Sequence, residues 1–170
     1  ADRFWVGGTG NWNNTANWSA TSGGASGASI PTTSDDVYFD AQSFSAGSQT
    51  VTIDANSSCA NLDWSLATNS PTFTGTSAFT LTIAGTACTF IDAMTYSFAG
   101  ELSFTNTGGI TITTGATAKT FGDITFTATS SRTVNVNGNG THTFGKITVG
   151  NNSTVNFNGT GAKTYDGLST

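Results

Sequence analysis

The chain has 170 residues, a formal net charge of −5 and only 9% charged residues. Long solvent-facing helices need Glu, Lys, Arg and Gln, and the single Glu of the sequence, Glu101, excludes a helical protein and leaves an all-β fold. The five basic residues are scattered and form no basic patch, so no nucleic-acid partner is predicted. No apolar run approaches the roughly 20 residues that span a bilayer, which predicts no membrane insertion.

The first 49 residues lack the repeat that follows, and they carry three of the four Trp residues. Trp5, Trp12 and Trp18 stand among Gly and Asn residues, which indicates a compact turn structure anchored by aromatic side chains. We expect residues 1–49 to form a Trp/Gly-rich cap on the fold. The three Trp residues have two interpretations, the core of that cap or an exposed platform that stacks against a glycan.

Acidic residues cluster near the end of the cap. Asp35, Asp36 and Asp40, together with Asp54, are candidate ligands of a calcium ion between the cap and the repeats. The alternative is that adjacent Asp residues before a strand form turns, because their side chains bond nearby backbone amides.

Residues 50–170 repeat a unit of strand, corner, strand and return. The first strands of the units begin at Val51, Leu81, Ile110, Val134 and Val155, and the second strands begin at Cys59, Cys88, Lys119, His142 and Lys163. Apolar residues alternate with Thr in these strands, and units of this size bury a core only when stacked. The sequence therefore predicts a short right-handed parallel β-solenoid (β-helix) of about five rungs. The Asn-Gly corner after Val134 leaves an antiparallel β-sandwich or meander as the alternative.

The alignment of these units places Asp63, Asp92 and Asp123 at equivalent positions. Stacking would bring the three carboxylates onto successive turns, where a divalent cation such as calcium would relieve their repulsion. The simpler interpretation is a solvated acidic edge without a metal ion. We expect no other cofactor.

The two cysteines, Cys59 and Cys88, also fall at equivalent positions of consecutive units. Stacked on neighbouring turns, they would lie close enough for a disulfide, and they would fit equally well as two free thiols in the core. The sequence leaves both arrangements open.

The N-terminal string RFWVGGTGNW, followed by ANWS, IPT and DDVYFD, covers about the first quarter of the chain. It resembles an opening module of tailed-phage structural proteins and of large repetitive bacterial surface proteins. The resemblance implies a structural role in a virion or on an extracellular surface, and no catalytic residues come with it.

We therefore expect a non-enzymatic virion protein, either a capsid decoration protein or a fibre or spike segment, that binds other virion or surface structural proteins. Residues 163–170 still resemble the solenoid, so we expect the last turn to be covered by a partner chain, a further copy or further polypeptide. A homo-oligomer, such as a trimer, fits this expectation. A surface adhesin that binds glycans is the alternative, and a polysaccharide-degrading enzyme is less favoured because acid/base groups are scarce. The start Ala1-Asp2 suits removal of an initiator Met.

Overall fold

The computed structural model describes all residues, 1–170, and contains a single 3-10 turn, Thr15–Asn17. In chain order the first nine strands are β1 (Asp2–Trp5), β2 (Gly10–Asn11), β3 (Trp18–Ser19), β4 (Asp36–Tyr38), β5 (Thr50–Ile53), β6 (Ser57–Cys59), β7 (Leu62–Asp63), β8 (Thr72–Gly75) and β9 (Thr80–Ile83). The others are β10 (Ala87–Thr89), β11 (Thr95–Phe98), β12 (Glu101–Phe104), β13 (Ile110–Thr113), β14 (Lys119–Thr120), β15 (Ile124–Phe126), β16 (Thr133–Asn137), β17 (His142–Thr148), β18 (Thr154–Asn158) and β19 (Lys163–Ser169).

The strands form three sheets, which we call walls A, B and C. Wall A has the order β18-β16-β13-β10-β7-β4-β1-β3, wall B the order β11-β8-β5-β2, and wall C the order β14-β17-β15-β12-β9-β6 with β19 beside β17. Every pairing is parallel except the antiparallel contact between β1 and β3. The chain visits the walls in turn and forms a β-solenoid of about six turns. The solenoid prediction is confirmed, and the antiparallel alternative is wrong.

The turns become shorter along the chain. The register offset in wall A is 25 residues between Val37 and Leu62, and it is 21 residues between Val134 and Val155. Wall B ends at β11, so the turns after Phe98 have two walls instead of three. The solenoid therefore narrows from its N-terminal end to its last turn.

The predicted alignment of the repeats is correct only in its later part. Ile110, Val134 and Val155 stack in wall A as expected. Val51, however, lies in wall B and Leu81 in wall C. An aliphatic residue followed by Thr and Ile recurs in all three walls, because each wall buries alternate side chains, so this pattern does not identify the wall.

The first 49 residues are part of the solenoid. Strand β1 pairs in parallel with β4, and β2 pairs in parallel with β5, so these residues supply the first turn and begin the second. Only β3 departs from the solenoid pattern, because it runs antiparallel along β1. The predicted boundary between residues 49 and 50 therefore does not separate two structures.

The core is one continuous cluster of 31 buried hydrophobic residues that extends from Trp5 to Val149. Its N-terminal part is rich in aromatic rings, and the rings of Phe39 and Trp64 stack with centroids 3.6 Å apart. No residue from 150 to 170 is buried. The core is thus closed at the first turn and open at the last. None of the helical structure has the length and apolarity that a bilayer crossing requires.

Candidate functional site

The three carboxylates that were predicted to stack lie in different parts of the solenoid. Asp63 belongs to β7 in wall A, Asp92 follows β10 at a corner, and Asp123 directly precedes β15 in wall C. The predicted ladder is wrong because the alignment equated units from different walls. No group of three or more His, Cys, Asp or Glu side chains is arranged to hold a metal ion.

These carboxylates instead hold the backbone of corners. Asp92 Oδ1 accepts hydrogen bonds from the backbone N–H groups of Ala116 and Thr117, at 2.5 and 3.2 Å. These bonds across one turn lower the pKa of Asp92. Asp123 Oδ1 accepts from the N–H of Lys146 on the next turn, at 2.8 Å. The two Asp side chains therefore connect consecutive turns.

Asp35 is buried in a polar site of its own. Its Oδ2 accepts hydrogen bonds from the N–H and the hydroxyl of Thr32, at 2.9 and 2.7 Å. Its Oδ1 lies 3.2 Å from the ammonium of Ala1 and 3.7 Å from the guanidinium of Arg3. Burial raises the pKa of Asp35, but these bonds and charges outweigh it and lower the pKa to about 2.

The neighbouring acidic residues also serve the backbone. Asp36 Oδ1 accepts from the backbone and side-chain amides of Asn61, at 3.1 and 2.6 Å. Asp40 Oδ1 accepts from the N–H of Gln42, at 2.9 Å. With Asp35 these residues are not gathered around one ion, so the turn-forming alternative describes the arrangement, and the calcium site predicted for Asp35, Asp36 and Asp40 is wrong.

Trp5, Trp12 and Trp18 are fully buried and pack against one another. The ring of Trp18 lies edge to face against both others, with centroids 5.0 Å from Trp5 and 4.8 Å from Trp12. The indole N–H of Trp5 donates to Gly8 O at 2.9 Å, and that of Trp18 donates to Trp12 O at 2.7 Å. No ring face is open to solvent, so the sugar-platform interpretation is wrong for these three residues.

Cys59 and Cys88 are free, fully buried thiols. Cys59 lies in wall C opposite Ile83, and Cys88 lies in wall A opposite Leu62. Burial raises the pKa of both thiols. Of the two arrangements that the sequence left open, the structure has the free thiols, because the cysteines belong to different walls.

Three basic side chains stack on consecutive turns, and we call them the basic column: Lys119, His142 and Lys163. His142 is fully buried, and its Nδ1 accepts from the N–H of Lys119 at 3.2 Å. Its Nε2 lies 3.3 Å from Gly115 O. Burial lowers the pKa of His142, and the two neighbouring Lys charges act in the same direction.

The largest cavity is an open groove of about 420 Å³ on the side of the solenoid, which we call the lateral groove. Three carboxylates line it, from Glu101, Asp123 and Asp166, and none has a cationic partner, since both ion pairs of the molecule involve Asp35. Hydroxyl groups of Thr80, Thr120 and Thr143 also line the groove. Phe121 and Phe144 contribute to its wall but are buried, so the groove offers no exposed aromatic face.

A second candidate is the open side of the last turn, which we call the end face. It consists of the free edges of β18 and β19 and the apolar side chains Val155, Phe157, Tyr165 and Leu168. Leu168 is 60% exposed and Tyr165 is 47% exposed. The four side chains surround a depression of about 220 Å³ whose floor includes Ile147 and Val149. The end face thus exposes apolar side chains next to unpaired backbone edges.

Comparisons with protein-family models, curated proteins and solved structures find no match to this chain. The resemblance of the N-terminal string to phage and bacterial surface proteins therefore stays a prediction. Any functional argument has to rest on the surfaces described above.

Sequence reasoning missed two of the three groove carboxylates, Glu101 and Asp166. Asp123 was identified, but as part of a different ladder. The missing signal was the register of wall C, in which Leu102 lies opposite Ile124 and therefore brings Glu101 next to Asp123. An alignment of the short Phe-Gly corners before these strands would have revealed it.

Proposed function

We propose that this chain is a structural building block of a virion or of an extracellular surface assembly, and that it works through protein–protein interfaces. The end face carries this proposal. It combines a free strand edge with exposed apolar side chains, and these two features together drive proteins to associate. Leu168 and Tyr165 are two of the three large hydrophobic residues that the molecule exposes.

The polar groups support the same proposal. Asp36, Asp92 and Asp123, which looked like ligands of an ion, bond to backbone amides of adjacent turns. Such bonds stiffen the corners of a solenoid, and they occupy the oxygens that a reaction or an ion would need. A rigid body with an adhesive end suits a capsid decoration protein or a segment of a fibre or spike.

The test is mass photometry and electron microscopy of the purified chain over a range of concentrations, with calcium and with a chelator. We expect a defined oligomer that persists in the chelator, because the end face contains no ion site. Particles that stay monomeric and also bind to a glycan array would contradict the structural proposal.

A second function, glycan binding, is favoured by the lateral groove. The carboxylates and the Thr hydroxyls are of the type that accept and donate hydrogen bonds to sugar hydroxyls, and the groove extends over several turns. We expect the double variant Glu101→Gln/Asp166→Asn to lose any signal on a glycan array. Asp2→Asn/Asp63→Asn, which changes the net charge equally on wall A, is the matched control; loss of signal in both variants would point to a general charge effect.

A further inference from the structure

The sequence of β18 is symmetric in its polarity. It reads Thr154-Val155-Asn156-Phe157-Asn158, with apolar side chains at the second and fourth positions and polar ones at the other three. Val155 and Phe157 pack against the core, whereas the Asn side chains bond on the outer surface to those of β16. Read in either direction, the strand places the same type of side chain on each face.

The backbone of β18 shows which groups are free. The N–H of Thr154 donates to Arg132 O, and Asn158 O accepts from the N–H of Gly138, so both residues face β16. Backbone groups alternate in direction along a strand. The N–H and C=O groups of Val155 and Phe157 therefore point to the free edge of wall A.

An antiparallel copy of β18 satisfies these groups. With a twofold axis at Asn156, Val155 lies opposite Phe157 of the second copy, and such a pair exchanges two N–H···O bonds because both residues face the edge. Asn156 then lies opposite Asn156 of the second copy as a non-hydrogen-bonded pair, with Cα atoms about 4.5 Å apart. Apolar side chains meet apolar ones inside, and polar side chains meet polar ones outside.

We propose that two copies of this chain associate tail to tail through the end face, with β18 paired antiparallel about Asn156. This inference rests on the proposed structural function and names its partner as a second copy. Because the contact is isologous, it closes at two copies, which replaces the trimer that the sequence suggested.

A head-to-tail arrangement fits less well. At the other end of the solenoid β3 already covers the edge of β1, and Trp18 of β3 is fully buried. No large hydrophobic residue is exposed on that end, since the third exposed one, Leu66, follows β7. The apolar side chains of the end face therefore find their match only in another end face.

Disulfide trapping tests the register. In the variant Asn156→Cys the new thiols of two copies face each other at a Cα separation that a disulfide accepts. We expect a covalent dimer on mild oxidation. Thr154→Cys is the matched control, because its partner in this register is Asn158 of the second copy. The native thiols of Cys59 and Cys88 are fully buried and do not interfere.

A second pair of variants tests the surface without a cross-link. Leu168→Glu places a charge in the end face, whereas Leu66→Glu places it at a similarly exposed site elsewhere. By light scattering after size exclusion we expect Leu66→Glu and the native chain to have about twice the 17.3 kDa monomer mass, and Leu168→Glu to have one monomer mass.

The outcomes separate the two proposals. Oligomers that survive Leu168→Glu, or that form without an Asn156→Cys cross-link, overturn the tail-to-tail dimer and leave the structural function standing. A chain that is monomeric at all concentrations but captures a different protein does the same. A monomer that binds only glycans overturns both.

Discussion

The imidazole of His142 is held in one protonation state by its two neighbours. Its Nδ1 accepts the N–H of Lys119, so the ring proton belongs on Nε2, where it faces Gly115 O. A second proton would break the bond to Lys119 and place a third positive charge in the basic column, between Lys119 and Lys163. Asp92 is the one carboxylate that offsets these charges. The fold therefore prefers neutral His142.

We expect the free energy of unfolding to decrease as the pH falls below about 6.5, the ordinary pKa of His. The unfolded chain takes up a proton there, whereas the native chain does so only at lower pH, so stability is present above this pH and lost below it. Urea unfolding at a series of pH values between about 7.5 and 5 measures the change.

The variant His142→Asn is the control, because it removes the only His of the sequence. Its stability should be nearly flat in this window. The lowered pKa values of Asp35 and Asp92 cause losses only at lower pH, below their ordinary value of 3.8. Equal pH dependence in the variant and the native chain would contradict the assignment to His142.

At this scale the sequence identified the polar residues but not their partners. Asp92 and Asp123 were recognised as notable carboxylates, yet their hydrogen bonds reach backbone groups 23 to 25 residues away. Those contacts exist only after the turns have stacked. Sequence spacing can suggest them only if the length of each turn is already known.

At the scale of elements, glycine at the corner before β15 permits the turns to approach. A Cβ atom on Gly122 would lie 2.5 Å from both Ala99 O and Gly100 O, which are backbone atoms of the previous turn. The corner before β17 has a similar close approach, since a Cβ on Gly145 would lie 3.0 Å from the backbone N of Asp123. These glycines set the spacing of wall C at the lateral groove.

We expect Gly122→Ala to destabilise the protein by about 1–3 kcal/mol, because the added methyl group has to push two backbone segments apart. Denaturant unfolding measures the difference. Gly47→Ala is the matched control, because its nearest neighbouring atom would be 3.9 Å from the new Cβ. An unchanged midpoint for Gly122→Ala would show that the corner can relax.

The strands themselves were predictable, whereas their walls were not. Alternation of Thr with aliphatic residues identified the segments at Val51 and Leu81 as strands, and both are strands. The alternation is the same in every wall, so it could not tell that one belongs to wall B and the other to wall C. The last units were aligned correctly because Val134 and Val155 open nearly identical segments.

At the scale of the whole molecule, burial decreases along the axis. Trp5, Trp12 and Trp18 fill the first turns, whereas the last turn contains no buried residue. In a solenoid each turn is stabilised mainly by its neighbours, and the last turn has a neighbour on one side only. Local unfolding should therefore begin there.

We expect hydrogen exchange in dilute solution to be fastest in β18 and β19 and slowest in the strands next to the Trp cluster. Mass spectrometry of peptides from both ends measures this gradient. At higher concentration β18 should become protected if two copies pair through it. Uniform exchange along the chain would contradict nearest-neighbour stabilisation and indicate a single cooperative unit.

The loss of wall B after Phe98 also has a mechanical meaning. A rod resists bending more strongly when its material lies farther from its axis, and a two-sided section has less such material than a three-sided one. A sideways force would therefore concentrate curvature in the turns after β11, while the wide end with its aromatic filling stays straight. The molecule then behaves as a graded spring, in which the compliant segment lies next to the surface that joins it to its neighbour.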